Sequence, residues 1–90
     1  MSRLKFKDVV ICREERFSIG IEESSGRFYV AIPVSNGLFD YDEYYEIDRE
    51  AFARYQADPK AALGFVERCR GRNADEHLIY QPSKQRGSPL

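Results

Sequence analysis

Phe39-Asp40-Tyr41-Asp42-Glu43-Tyr44-Tyr45-Glu46-Ile47-Asp48 packs five carboxylates and four aromatic rings into ten residues with no basic group among them. Apolar or aromatic side chains stand at 39, 41, 44, 45 and 47, so two-residue alternation holds briefly and then breaks. The pattern fits a strand end running into a helix-entry loop, the seam between an N-terminal sheet and a helical half. Some rings must pack inward while the carboxylates and the remaining phenols stay wet, giving a negative, tyrosine-rich surface over a folded core. Asp40, Tyr41, Asp42, Glu43, Tyr44, Tyr45 and Glu46 are therefore the candidate partner-binding residues. A purely structural reading stands beside this one. Tyrosines are common in sheets, and carboxylates just before a helix meet its positive N-terminal end.

Upstream of this run the sequence predicts strands. Asp8 to Cys12 is short, apolar and rich in β-branched residues, and the charged turn Arg13-Glu14-Glu15-Arg16 follows it. Phe17 to Glu23 alternates cleanly, with Phe17, Ile19 and Ile21 on one face and Ser18, Gly20 and Glu22 on the other. After the turn residues Ser24-Ser25-Gly26, Arg27 to Val34 alternates again, with Phe28, Val30, Ile32 and Val34 on one face. Pro33 has no N–H for a ladder, which places it at an edge or near a strand end. Asn36-Gly37 predicts a tight type I′ hairpin turn, because both central residues of that turn need positive φ. A further strand should then start at Leu38 and carry the acidic run back along the sheet.

Downstream the sequence predicts helices. Asp48 is placed to cap a helix from Arg49 to about Ala57, with Phe52 and Tyr55 on one face. Asp58-Pro59 ends it and opens a second helix to about Arg70, with Asp58 as cap and Pro59 as first residue. Ala62, Phe65, Val66 and Cys69 form its core stripe, and Gly71 ends it. His77-Leu78-Ile79-Tyr80 has the composition of a closing strand. The expected fold is α+β: an antiparallel meander of about four strands plus a C-terminal strand, with two helices packed on one face. Residues 1–80 form one domain, and 81–90, with two prolines, a glycine and little to bury, form a mobile tail or an extended arm on the surface.

A 90-residue chain buries only about 60–65% of its unfolded surface, so a large internal cavity would compete with the core. Hydrophobic content of 42% excludes disorder, and a net charge of -1 gives no global attraction to nucleic acid or membrane. No apolar run is long enough to span a bilayer, and Met1 to Asp8 lacks the apolar stretch of a signal peptide, which points to the cytoplasm. Cys12 and Cys69, the two cysteines, have no metal-ligand spacing. They read as two reduced thiols or a long-range disulfide.

Chemistry is sparse. His77 is the one histidine, and no second histidine or paired cysteine completes a metal or nucleophile site around it. Gly20, Gly26 and Gly37 do not form a phosphate cradle. The expectation is no catalytic residue, no metal, no cofactor and no enzyme. Arg68, Arg70 and Arg72 at a helix end suit the helix itself, and with Lys84 and Arg86 they fall short of a nucleic-acid surface, since the aromatics are interleaved with acid.

The run Phe17–Val30, then Ile32-Pro33-Val34-Ser35-Asn36-Gly37, Asp40–Ile47 and Arg86-Gly87-Ser88-Pro89 resembles small bacterial immunity proteins of polymorphic-toxin and contact-dependent growth inhibition systems. The likeness extends over most of the chain. It implies a cytosolic, non-enzymatic protein that binds and blocks a cognate toxin domain, often a nuclease. The contact residues named above come from the pattern of the acidic run, because contact surfaces vary within such families. Inhibition would work by occlusion, with carboxylates standing in for substrate phosphates and tyrosines as anchors, so that charge reversal at Asp42 and Glu43 slows association. The alternative is an orphan interaction or regulatory module with no toxin partner, one form of which is a homodimer pairing through the strand edge near Pro33.

Overall fold

The structure, a computed structural model, describes residues 4–80 and 86–90. The reading of Met1 to Arg3, Lys84 and the start of the tail at 81–85 lie outside the described residues. Strands β1 (Phe6–Cys12), β2 (Phe17–Glu22), β3 (Arg27–Ser35) and β4 (Asp40–Ile47) form an antiparallel meander in that spatial order. The expected α+β architecture is present, with strand ends moved by one or two residues. β1 carries a bulge between Asp8 and Val10 that leaves Val9 unpaired in the ladder.

Alternation places Phe17, Ile19, Val30, Ile32, Val34, Tyr45 and Ile47 on the face that meets the helices, all buried. Each such side chain contributes about 1.5–3 kcal/mol when fully withdrawn from water. Helix α1 (Arg49–Ala57) adds Phe52 and Tyr55 to this core, and α2 (Leu63–Arg70) adds Val66 and Cys69. Asp48 caps α1 as expected, its Oδ1 accepting from the Ala51 N–H at 2.7 Å.

The second helix departs from expectation at its start. Pro59–Ala62 is a 3₁₀ turn and the α-helix begins only at Leu63, while the Asp58 side chain makes no capping bond. The Asp58 N–H closes α1 onto the Arg54 carbonyl and the Asp58 carbonyl accepts from Ala61, so the backbone does the capping. At the other end, the left-handed residue is Arg72 (φ 60°) and not Gly71 (φ -83°). Asn73 N–H reaches the Arg68 carbonyl at 2.8 Å, closing the helix around Arg72.

Three other expectations are corrected. Asn36-Gly37 is not a two-residue type I′ turn: the loop runs over Asn36 to Phe39, and of its residues Gly37 alone has positive φ, at 89°. Asn36 Oδ1 accepts from the Leu38 and Phe39 N–H groups at 2.9 and 3.1 Å, so the asparagine side chain organises a wider turn and β4 starts at Asp40. His77–Tyr80 is not a strand. A 3₁₀ turn at Asp75–His77 uses the His77 and Leu78 N–H groups internally, and the contact with β4 is a single bridge, Leu78 to Tyr45, with Ile79 N–H on the Tyr44 carbonyl.

The last strand instead comes from further on. β5 (Ser88–Pro89) pairs with Val34 and Ser35, and Leu90 N–H donates to the Pro33 carbonyl at 3.1 Å. β4 holds the other side of β3, so β5 lies in the lane of β2, beyond its last pair Ser18–Ala31. N–H and C=O of one strand residue point the same way. The missing N–H of Pro33 therefore faces the gap between β2 and β5, and the edge near Pro33 on which a homodimer would pair is occupied by β5.

The sheet face turned away from the helices is also covered, by its own side chains. Tyr29, fully buried, crosses Gly20, where an added Cβ would collide with the Lys7 carbonyl oxygen and sit 2.5 Å from the Tyr29 hydroxyl. Its phenol donates to Asp8 Oδ1 at 2.6 Å. Phe6 stacks on Tyr44 with centroids 3.6 Å apart, and both meet the Tyr29 ring edge-on. Glu22, 0% exposed on this face, accepts from the Lys5, Ser24 and Ser25 N–H groups and both serine hydroxyls. These bonds, the Lys5 amide first, hold its carboxyl well below the usual range.

Candidate partner-binding surface

β4 pairs with β3 along its whole length, from Ser35–Asp40 to Phe28–Ile47. Strand geometry then sorts the acidic run into two rows. Tyr41, Glu43, Tyr45 and Ile47 face the helices; Asp40, Asp42, Tyr44 and Glu46 face away. The expectation that all the carboxylates stay wet fails at Glu43, which is 5% exposed, and Tyr45 is buried with it.

The inward row is occupied by the chain itself. Arg86 closes on Glu43 with Nε to Oε2 at 2.7 Å and a terminal nitrogen to Oε1 at 3.0 Å, and it holds Asp75 with two further bonds at 2.8 and 2.9 Å. Tyr45 donates its phenol to Glu43 Oε1 at 2.8 Å. Burial, then that bond to Glu43, pushes the Tyr45 phenol up, while the Arg86 guanidinium holds the Asp75 carboxyl below its usual value. Tyr41 accepts the Gly87 N–H at 2.7 Å, and Arg72 donates to the Gly87 carbonyl at 3.1 Å. Glu43, Tyr45 and Tyr41 thus fasten the C-terminal segment to the sheet. Charge reversal at Glu43 would break this cluster before it reported on any association rate.

The outward row is different in kind. Asp40, Asp42 and Glu46 are exposed and Tyr44 is half-buried. Burial and the facing Asp8 raise the Asp42 carboxyl, so its ionised form is held at some cost. Asp8 and Asp42 line a shallow groove of about 280 Å³ over Ser18, Ala31 and Pro33. Arg13 and Arg16 close one end of it, so the groove as a whole is balanced in charge.

Next to Asp40 stand two residues that the acidic pattern did not single out. Leu38 and Phe39, at the tip of the β3–β4 loop, are 78% and 60% exposed, and the Phe39 ring leans on Tyr41 at 5.8 Å. Their signal in the sequence was two large apolar residues directly after a turn dipeptide. Arg86 and Asp75, which decide the fate of Glu43, gave no such signal. They lie 43 and 32 residues away and reach it only through the fold.

Both cysteines are free thiols; Cys69 is buried, and burial pushes its thiol up to about 12. Among the described residues no three His, Cys, Asp or Glu side chains gather as a metal site would require, and no helix is long and apolar enough to cross a membrane. Comparison of the chain with protein-family models, with curated proteins and with solved structures gives no match.

Proposed function

We propose that this chain is an immunity protein that binds a cognate toxin domain in the cytoplasm and neutralises it by occlusion, without chemistry of its own. The observation that carries the reading is the projecting tip Leu38-Phe39, exposed beside the exposed carboxylates of Asp40 and Asp42. Large apolar side chains normally find cover, and exposed apolar groups rimmed by charge are the usual composition of a protein-binding patch. The tip supplies apolar anchors for a pocket, while the outward carboxylates steer a basic surface and, if the toxin is a nuclease, take the place of substrate phosphates. Contact residues under this reading are Leu38, Phe39, Asp40, Asp42, Tyr44 and Glu46. Glu43, Tyr41 and Tyr45 support the surface from below.

The test is co-purification of the tagged chain from its host, followed by co-expression of the captured protein in a test strain. Toxicity of that protein, relieved by the wild-type chain and not by the Leu38→Ala/Phe39→Ala variant, supports the reading. Capture of nothing, or relief that is indifferent to the tip, overturns it. An orphan interaction or regulatory module remains the competing function; its homodimer form would use the edge near Pro33, which carries β5.

A further inference from the structure

The loop that carries Leu38 and Phe39 leaves the sheet between Ser35 and Asp40, the last pair of the β3–β4 ladder. Within it the Asn36 N–H reaches the Phe39 carbonyl at 3.3 Å, and Asn36 Oδ1 takes the Leu38 and Phe39 N–H groups. A short loop with two exposed apolar side chains has little packing of its own. Such segments belong to the low-stability end of a fold unless a neighbour holds them. Here the neighbour is the C-terminal segment.

Gly87 is buried against the peptide bond that enters the loop: an added Cβ would come 2.6 Å from the Ser35 carbonyl carbon and oxygen and 3.0 Å from the Asn36 nitrogen. No side chain fits there unless the backbone that sets Asn36 moves. Ser88 pairs with Ser35, and the Gly87 N–H donates to the Tyr41 phenol at 2.7 Å. The Phe39 ring leans on that same Tyr41 ring. The segment therefore touches both stems of the loop, Ser35 on the β3 side and Tyr41 on the β4 side. Its own position is fixed from outside the loop, by Arg86 on Glu43 and Asp75 and by Arg72 on the Gly87 carbonyl.

We infer that residues 86–90 are a splint for the projecting tip, with Gly87 as its positioning residue. Docking of Arg86 seats Gly87 and Ser88 against both stems, and the seated segment holds Leu38 and Phe39 in the arrangement that a partner meets. The inference rests on the reading above for what the tip binds; the coupling of tail to tip is a property of this chain alone. Its consequence is regulatory. A loop ordered in advance binds without the cost of ordering, so whatever unseats the tail lowers the fraction of chains with a competent tip and weakens binding in proportion, with no contact residue altered. The cluster around Glu43 and the tip are then two ends of one device.

The experiment compares the wild-type chain with Gly87→Ala, Tyr41→Phe and Gly64→Ala by backbone amide shifts and heteronuclear NOE, with no partner present. Gly64 is exposed on α2, where an added Cβ meets no atom within 4 Å beyond its own helix, so its variant controls for the methyl group itself. Gly87→Ala should move the amides of residues 35–41 and 87–90 and lower the NOE of 37–39, a measure of fast motion, while the amides of both helices stay in place. Tyr41→Phe removes one acceptor and should give the same pattern at smaller amplitude; it decides the matter if Gly87→Ala does not fold. Gly64→Ala should leave the loop as in wild type. Amides of 36–39 that stay in place while those of the tail move, a loop unmoved in both variants, or shifts spread evenly over sheet and helices would overturn the inference. Against a captured partner, Gly87→Ala should weaken binding about tenfold with Leu38 and Phe39 intact, and undiminished affinity would overturn it as well. The amide measurements need no partner, so an unmoved loop removes the splint alone, whereas the tip reading stands or falls on Leu38→Ala/Phe39→Ala in the co-expression assay.

Discussion

The two rows of β4 have nearly the same composition and opposite fates. Glu43 and Asp42 are adjacent carboxylates; one is buried under an arginine from the last residues of the chain, and the other faces solvent. Tyr45 and Tyr44 differ in the same way, the first hydrogen-bonded in the helix-side core and the second stacked on Phe6 near the surface. Strand geometry alone divides them, since successive side chains leave a strand on opposite faces. A run that looks like one acidic surface is one structural row and one surface row, and the functional reading belongs only to the second.

The sharpest way to break this division is to remove Arg86. Arg86→Ala leaves the Glu43 carboxylate buried without its cation and releases the tail, and the expected loss is about 3–5 kcal/mol of unfolding free energy. Urea denaturation reads it directly, and a loss below about 1 kcal/mol would mean the inward row is not a lock. Gly20→Ala tests the covering of the opposite face. A methyl there collides with the Lys7 backbone oxygen, and the expected loss is about 2–3 kcal/mol, read as a drop in Tm.

Acid gives a third, graded test. The Glu22 carboxyl is held below its unfolded value, so the stability it contributes is complete above about pH 4.3 and is lost as pH falls towards the folded pKa. The wild-type unfolding midpoint should therefore fall between about pH 4.3 and pH 2, and Glu22→Gln should flatten that fall while lowering stability at neutral pH. An unaltered pH profile in the variant would remove Glu22 as the acid-sensitive group. The smallest effects on stability belong to the outward row. Asp40→Lys and Glu46→Lys should each change unfolding free energy by less than about 0.5 kcal/mol, yet, under the proposed function, slow association with the captured partner in a manner that strengthens as salt is lowered. Kinetics insensitive to both charge and salt would take the surface row out of the binding account.

The meander, the Asp48 cap and the stripe Ala62, Val66 and Cys69 were legible because each rests on local pattern: alternation, a capping residue, a helical period. What stayed hidden depends on distance in sequence. Nothing in Asp40–Ile47 reveals that Glu43 is buried, because a buried charge is tolerated only with its partner, and that partner is Arg86. The broken alternation of the run has the same origin. Tyr44 is a large ring on the outward face because Phe6, from the first strand, reaches across to cover it. His77–Tyr80 misled because its composition suits a strand, while the 3₁₀ turn before it uses the N–H groups a longer ladder would need. Leu38 and Phe39 were in plain view beside Asn36-Gly37, but reading that dipeptide as a tight turn folded them into the next strand.

The most direct measurement is urea denaturation of Glu43→Gln and Asp42→Asn side by side. Glu43→Gln breaks a charge-assisted, buried contact with Arg86 and should lose about 2 kcal/mol or more. Asp42→Asn removes a carboxylate whose charged form is already disfavoured, and it should stay within about 0.5 kcal/mol of wild type or gain slightly. Equal losses in the two variants would contradict the division of β4 into a locking row and a surface row.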